Sequence, residues 1–265
     1  MYDKTLLNAL ANSEDVLAVT PILPVYNLNY DAQWIIQSGD YSGKGTPIWD
    51  CGLTGEGITV AVGDSGLDFN SCYFSDSSVR VKFSKTETIQ GKGRPVYENL
   101  SHRKLVQYVA YSDKQEGEDG GHGTHVAGSV AGNNLGSSKQ HNGMAYDAKL
   151  AFFDIGTPGG YRLDVPDSLF DDMFPFAKRV GSNIHSNSWG GDANKNDQNT
   201  IDIDYYSFKN QDFLVLVAAG NAGDGAGTLC TPASSKNCIA VGAMENESEG
   251  TGLTTFSSRG PAFDG

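Results

Sequence analysis

Five short runs of apolar residues recur along the chain, and none of them alternates with polar residues. They are GITVAV (57–62), KLVQYVA (104–110), KLAFFDI (149–155), DFLVLVAA (212–219) and NCIAVGA (237–243). Strands that are apolar on both faces are typical of parallel sheets covered by helices on each side. Helix-permissive stretches lie between the runs at 122–132, 167–180 and 200–210. The pattern therefore predicts an α/β fold with a doubly wound, mostly parallel sheet flanked by helices.

Breaks in these elements can also be predicted. Pro175 predicts a kink or an interruption in the helix at 167–180. The polar stretches 65–103 and 113–120 are interpreted as loops between strands.

The charge of the chain excludes one group of partners. With 19 Lys and Arg against 32 Asp and Glu, the formal net charge is −13. Nucleic acids and anionic membranes are bound through basic surfaces, so neither is expected as a partner. No run approaches the ~20 apolar residues that span a bilayer, so no membrane segment is expected.

Polar residues follow two of the apolar runs, where the chain leaves a predicted strand. GDSG places Asp64 after the first run, and AAGNAG places Asn221 after the fourth. Ligands of open α/β sheets bind beyond the carboxyl ends of the strands, so both side chains are candidates for a site. Taken singly, each is equally well explained as a turn residue.

The segment GGHGTHVAGSVAGN (120–133) places His122 and His125 three residues apart at the start of a predicted helix. A zinc site would favour H-E-x-x-H or further Cys or His ligands, and no third ligand is evident, so no metal is assigned. The loop with Asp192, Asn194 and Asn196 lacks the glycine and glutamate of an EF-hand and is interpreted as a solvated polar loop. Structural calcium stays open, without assigned ligands.

Three other known enzyme motifs do not match this sequence. GDSG matches the nucleophile segment of chymotrypsin-like proteases, but the histidine of that fold comes earlier in the chain, whereas His122 follows. The G-x-S-x-G elbow and the G-x-G-x-x-G fingerprint are both absent after the first strand. Together, Asp64, His122 and Asn221 suggest an Asp–His pair with a donor that stabilises an anion.

Five segments carry a resemblance to subtilisin-like serine proteases, in order and in kind. They are GITVAVGDSGLD, GGHGTHVAGSVAG, IHSNSWGG, LVAAGNAG and TTFSSRGP. From about residue 45 to its end, the chain resembles that family. The resemblance implies a serine endopeptidase that acts on protein or peptide substrates, with Asp64 as the triad aspartate, His122 as the general base and Asn221 as the oxyanion donor. It also implies that His125 is a packing residue.

The resemblance further implies a substrate cleft with two edge segments that line the specificity pocket and pair with the substrate backbone. The first would be Ser188, Trp189 and Gly190, and the second Ala218, Ala219 and Gly220. Trp189 stands where many family members carry an aliphatic residue.

The sequence departs from the family at the nucleophile, which members carry in a G-T-S-M-A-like helix start some distance after FSSRGP. This chain ends at Gly265, and its late serines lie in other contexts. They are Ser234, Ser235, Ser257 and Ser258. The fold is therefore expected to be incomplete at its C-terminus and the chain to be an inactive fragment of a longer protease. The alternative is a catalytically inactive, peptide-binding pseudoprotease.

Residues 1–30 resemble the tail of an inhibitory propeptide and its linker, and 31–265 the N-terminal part of a catalytic domain. A zymogen is implied, with the chain's own propeptide as a partner. The resemblance also implies a secreted protein or one in a secretory compartment, although the chain does not start with a signal-peptide pattern. Secretion would favour disulfides. The four cysteines permit three pairings, of which the nearest-neighbour one would be Cys51–Cys72 and Cys230–Cys238; four buried thiols are the alternative.

Overall fold

The computed structural model describes residues 29–39, 45–112, 121–136, 139, 141–159, 162–245 and 252–265. Its helices are α1 (Asn29–Ser38), α2 (Pro47–Asp50), α3 (His122–Ala131), α4 (Leu169–Asp172), α5 (Phe174–Arg179) and α6 (Gln198–Lys209). Its strands are β1 (Thr59–Asp64), β2 (Lys85–Ile89), β3 (Lys92–Glu98), β4 (Leu105–Ala110), β5 (Lys149–Asp154), β6 (Ile184–Asn187), β7 (Leu214–Ala218) and β8 (Cys238–Val241). In the part of the chain that the structure describes, no helix has the length and apolar character needed to cross a membrane.

The described strands form one sheet in the order β2-β3-β4-β5-β1-β6-β7-β8. All neighbours from β4 to β8 pair in parallel, whereas β2, β3 and β4 pair antiparallel at one edge. The predicted doubly wound, mostly parallel sheet is therefore confirmed. β1 lies between β5 and β6, so the chain builds outward on both sides of it. Ligand sites of such sheets lie beyond the carboxyl ends of the strands at this switch point.

Two apolar cores cover the two faces of the sheet. On one face, Val62 and Phe152 pack with Ala127 of α3. On the other face, Ala61, Phe153 and residues of α4, α5 and α6 form the second core. Successive strand residues point to opposite faces, so the apolar runs of β1, β4 and β5 supply side chains to both cores at once, whereas those of β7 and β8 contribute only to the second core.

Helices are present at all three predicted stretches, and residues at their ends explain where two of them begin or break. The stretch 167–180 is split at Met173 into α4 and α5, and Pro175 lies in the first turn of α5, so the predicted interruption is confirmed. α6 begins at Gln198 because the Asp197 carboxylate accepts a hydrogen bond from the N–H of Thr200, while the Thr200 hydroxyl accepts one from the N–H of Asp197. The interpretation of 192–204 as a polar loop is therefore wrong from Gln198 onward, where the capping box of Asp197 and Thr200 starts α6.

The prediction of a loop throughout 65–103 is wrong, because a hairpin of β2 and β3 lies within it. The turn residues Gln90 and Gly91 have φ of 50° and 72°, which suits the tight turn of a two-residue hairpin. The strands are half exposed, so their sequences KTETI and KGRPVYE lack a continuous apolar run. The stretch 113–120 lies outside the described residues.

The expected disulfides are absent, and all four cysteines are free thiols. Cys230 is buried, and its Sγ lies against Gly220, only 2.3 Å from where a Cβ on that glycine would be. The Sγ of Cys238 instead lies 3.6 Å from the carbonyl oxygen of Ala233. Cys51 and Cys72 are both exposed. The alternative of four buried thiols is therefore right about the thiols and wrong about their burial, since only Cys230 is buried.

Arg103 joins two segments that border α3. Its guanidinium donates to the carbonyl oxygens of Ser75 (2.5 Å), Asn133 (3.1 Å) and Cys72 (2.9 Å). Its backbone N–H donates to the Asp76 carboxylate at 2.8 Å. One planar cation thus satisfies three carbonyls that would otherwise lack a common donor.

Replacing Arg103 with Ala is expected to lower the free energy of unfolding by about 2 kcal/mol, because partly buried carbonyls lose their donors. Replacing it with Lys should recover little, since an ammonium cannot reach all three oxygens in the geometry of the guanidinium fork. Urea denaturation measures both changes. Arg80→Ala, at an exposed arginine, is the matched control; an equal loss in the control and in Arg103→Ala would contradict the bridging role.

Candidate active site

Asp64 and His122 form a hydrogen-bonded pair at the carboxyl end of β1. The His122 Nδ1 lies 2.7 Å from the Asp64 Oδ1. The same carboxylate oxygen accepts a hydrogen bond from the N–H of Ser65 at 2.7 Å, which holds it in place. The Asp64 side chain is 1% exposed and the imidazole is 60% exposed. The structure therefore brings together the two residues predicted as triad aspartate and general base.

The start of α3 is held against the loop after β1 by Gly123. A Cβ at Gly123 would lie 2.3 Å from the carbonyl oxygen of Gly66 and 3.1 Å from the Cβ of Asp64. Only glycine permits this approach, because 2.3 Å to a backbone oxygen is far inside van der Waals contact. The N–H of Gly123 also donates to the Ser65 hydroxyl at 3.2 Å. Gly123, the second residue of α3, thus allows the start of the helix to come close enough to β1 for His122 to reach Asp64.

The geometry of the pair suits proton transfer. With a proton on Nδ1, the imidazole donates to Asp64 and its Nε2 is left as the base. A buried carboxylate in this position fixes the tautomer and stabilises the imidazolium that forms when Nε2 takes a proton.

A cavity of about 640 Å³ opens beside the pair. Its lining contains Asp64, Ser65, His122, Arg162, Leu163, Val165, Ser188, Trp189, Gly190, Gly191 and Asn199. The first predicted edge segment, Ser188 to Gly190, therefore lies in the same cavity as the Asp–His pair. The indole Nε1 of Trp189 donates to the carbonyl oxygen of Gly63 at 3.0 Å, and the side chain is 8% exposed. The wall of the cavity is thereby bonded to the strand that ends in Asp64.

The second predicted segment lies at the carboxyl end of β7, outside the lining of this cavity. The N–H of Ala219 donates to the carbonyl of Val241, and its own carbonyl accepts from the N–H of Cys230. The carbonyl of Gly220 accepts from the N–H of Ser258. Ala218 is the last residue of β7, and Asn221 is exposed in the loop that follows. The oxyanion role of Asn221 and the substrate role of this segment stay predictions.

Sequence reasoning missed four further residues of the cavity lining, namely Arg162, Leu163, Val165 and Asn199. These residues come from the connection after β5 and from the first turn of α6, where no motif marks them. Asp154, at the end of β5, holds that connection: its carboxylate accepts from the N–H of Gly156 (2.9 Å) and from the Tyr108 hydroxyl (2.5 Å). Asp154, an acidic residue near the end of the third apolar run, was the one feature of the sequence that could have pointed to this connection.

The prediction that His125 is a packing residue of the helix is wrong, because it is exposed. The buried residues of α3 are Gly123, Ala127 and Ala131, which recur every four positions. His125 lies off that face of the helix. Among the described residues, no group of three or more His, Cys, Asp or Glu is placed to hold a metal ion.

A different histidine, His185 of β6, lies next to Gly63 of β1, the residue before Asp64. It is 1% exposed, and its Cε1 is 3.2 Å from where a Cβ on Gly63 would be. Its ring makes an edge contact with Phe174, with 5.1 Å between centroids. Burial lowers the pKa of His185 to about 3, so the ring is neutral at physiological pH.

The fold and the site define a class: an α/β protein with a buried-carboxylate, exposed-imidazole pair at the switch point of a parallel sheet. The sequence model described as the Subtilase family matches residues 55–265. The chain belongs to the subtilase family.

Similar proteins agree with this assignment. A serine protease/ABC transporter B family protein, tagD of Dictyostelium discoideum, is 33% identical over 208 residues, which are 76% of this chain and 11% of that protein. A cuticle-degrading serine protease of Arthrobotrys oligospora is 27% identical over 270 residues, 99% of this chain and 56% of that protein. The solved structure of sphericase aligns with a TM-score of 0.51 at 27% identity, covering 78% of this chain and 60% of that one. The chain thus spans about a tenth of the first of these relatives and about half of the second.

Proposed function

We propose that the chain is the part of a serine endopeptidase that supplies the aspartate, the histidine and one wall of the substrate cleft. The observation that carries the proposal is the 2.7 Å contact between His122 and Asp64 beside a cavity large enough for peptide side chains. His122 would take the proton of a serine nucleophile and deliver it to the leaving amine. Asn221 would donate to the oxygen that becomes charged.

We further propose that the nucleophile lies outside residues 1–265. The four late serines are buried and already hydrogen-bonded within the protein. The hydroxyls of Ser234 and Ser235 donate to the Lys195 carbonyl and the Asp204 carboxylate, respectively, and those of Ser257 and Ser258 accept from the N–H groups of Ala243 and Ala222. None of the four lines the cavity that contains His122.

The placement of the nucleophile outside residues 1–265 is supported by apolar side chains that are exposed on one face of β7 and β8. By strand register, Val62, Ser186, Leu216 and Ile239 share the face that α3 covers over β1. On that face of β7 and β8, Leu214, Ile239 and Val241 are 39%, 47% and 48% exposed, whereas Val215 and Val217 on the other face are buried. A helix that carries the serine and packs here beside α3 would cover these side chains, each worth about 1.5–3 kcal/mol on full burial.

A fluorophosphonate probe, which labels activated serines, tests the proposal together with a quenched fluorescent peptide assay. Residues 1–265 alone should neither be labelled nor cleave the peptides. The protein as its gene encodes it should be labelled on one serine and should lose labelling in His122→Ala. A labelled serine within residues 1–265 would overturn the placement of the nucleophile. Peptide binding without labelling in either preparation would favour the pseudoprotease.

Trp189 is expected to limit which side chains enter the cleft, because its indole is fixed by the bond to Gly63. Replacing Trp189 with Leu should shift the ratio of kcat/KM between bulky and small substrate side chains by about tenfold. The measurement is a peptide-library profile of the active protease, with Trp189→Phe as the control that keeps an aromatic ring. An unchanged profile in the leucine variant would show that Trp189 does not select substrates.

The remaining parts of the proposal concern maturation and location. We propose that residues 1–30 belong to a propeptide tail and linker, although α1 already begins at Asn29, and that the protein enters a secretory compartment. The sequon at Asn99 lies in a surface turn next to Leu100, which is 62% exposed. Secretion therefore predicts a glycan at Asn99, seen as a mass shift after enzymatic deglycosylation and lost in Asn99→Gln.

A further inference from the structure

The backbone of Arg162, a residue of the cavity lining, is fixed by hydrogen bonds. The carbonyl oxygen of Arg162 accepts hydrogen bonds from the N–H of Thr157 (3.1 Å) and from its hydroxyl (2.7 Å). Next to it, Leu163 forms an antiparallel bridge with Gly156. Gly156 in turn lies so close to β1 that a Cβ there would be 2.3 Å from the carbonyl oxygen of Ser65. The base of the Arg162 side chain is thus fixed relative to the Asp–His pair.

The charges that line the cavity are unequal. Its ionisable residues are Asp64, His122 and Arg162. Asp64 is 1% exposed and is paired with His122. Arg162 is exposed, and no carboxylate among the described residues forms an ion pair with it. Among the described residues, the cavity therefore presents an accessible cation, Arg162, that no carboxylate neutralises through an ion pair.

Two carboxylates on the same connection lie elsewhere. Asp164 and Asp167 are outside the cavity lining and close to Tyr111, whose pKa is raised by burial and then by these two acids. In the described part of this connection, neither acid forms an ion pair with Arg162, which lines the cavity.

We propose that Arg162 is a specificity determinant that selects peptides with an acidic side chain at the position in contact with it. A guanidinium binds a carboxylate through two parallel hydrogen bonds, which adds geometric selection to charge. The proposal deepens the protease function, and it rests on that function only in requiring that this cavity holds a peptide.

The overall charge of −13 does not oppose this selection strongly. At physiological salt the Debye length is about 8 Å, so distant surface carboxylates are largely screened, whereas a direct contact in the cavity is screened much less. The preference for an acidic side chain should therefore persist as salt rises, while the general repulsion of acidic peptides weakens.

Peptide binding by residues 1–265 tests the proposal without any need for turnover. Fluorescein-labelled alanine hexapeptides carry a single Glu, Gln or Lys, moved through each position in turn, and fluorescence anisotropy gives Kd. In one register, the Glu peptide should bind about five- to tenfold more tightly than its Gln isostere. Arg162→Gln should remove that difference, and Arg162→Glu should reverse it in favour of the Lys peptide.

Arg80→Gln is the matched control, because Arg80 is exposed, outside the cavity, and the same charge is lost. Equal Kd for Glu and Gln peptides in every register, an equal effect of Arg80→Gln, or no binding of any peptide would each overturn the proposal. Cleavage by the full protein without an acidic preference would overturn it and leave the protease function standing. An acidic preference in peptide binding, without cleavage by the full protein, would support the role of Arg162 and overturn the protease function.

Discussion

Replacing Asp64 with Asn in the active protease is expected to lower kcat for peptide hydrolysis by about four orders of magnitude, with little change in KM. The carboxylate that now accepts from His122 Nδ1 would become an amide, whose NH₂ group can turn toward the ring. The imidazole would then carry its proton on Nε2 and could no longer accept one from the nucleophile. Initial-rate assays with a fluorogenic peptide measure the decrease in kcat.

Asp68→Asn is the control for this change, since Asp68 is an exposed carboxylate four residues along the same loop. It should retain nearly full activity. Circular dichroism must show that Asp64→Asn is folded, and the rate of fluorophosphonate labelling should fall in parallel with kcat. A reduction of less than tenfold in a folded variant would contradict the role of Asp64.

His185 is expected to make the protein less stable as pH falls from 6.5. Its pKa is lowered to about 3 in the folded protein, mainly by burial, and an unfolded histidine has a pKa of about 6.5. The unfolded state therefore binds a proton that the folded state refuses, so stability is full above pH 6.5 and is lost progressively toward pH 3. The slope is about 1.4 kcal/mol per pH unit, or about 2 kcal/mol between pH 6.5 and 5.

Urea denaturation between pH 5 and 7 measures this slope in a window where most carboxylates remain ionised. His185→Leu, which keeps similar volume beside Phe174, should flatten it. His102 is buried as well, and burial lowers its pKa, so part of the slope should remain. An unchanged slope in His185→Leu would refute the assignment.

Continuous apolar runs predicted the parallel strands, and β1, β4 and β5 are indeed buried on both faces, whereas β7 and β8 leave one face exposed. The same criterion missed β2 and β3, which are half exposed. It also missed β6, whose four residues include His185, Ser186 and Asn187. Polar residues can occupy a central strand when its carboxyl end serves a site, and composition alone does not reveal this.

The candidate site was predictable where local sequence sets the geometry. Asp64 and His122 lie in segments whose glycines permit a close approach, so motif and contact coincide. Arg162 and Asn199 reach the cavity through long-range packing of connections, which leaves no local pattern. The packing role of His125 came from the resemblance alone, and the side chain is exposed because it lies off the face of α3 that carries Gly123, Ala127 and Ala131.

The bond between Trp189 and Gly63 also gives the protein an internal optical probe. The chain has three tryptophans, and the other two, Trp34 and Trp49, belong to α1 and α2. With both replaced by Phe, emission would come only from an indole that forms the wall of the cleft and is tied one residue before Asp64. Occupancy of the cleft could then be followed in real time from intrinsic fluorescence, without a dye on the protein or on the peptide.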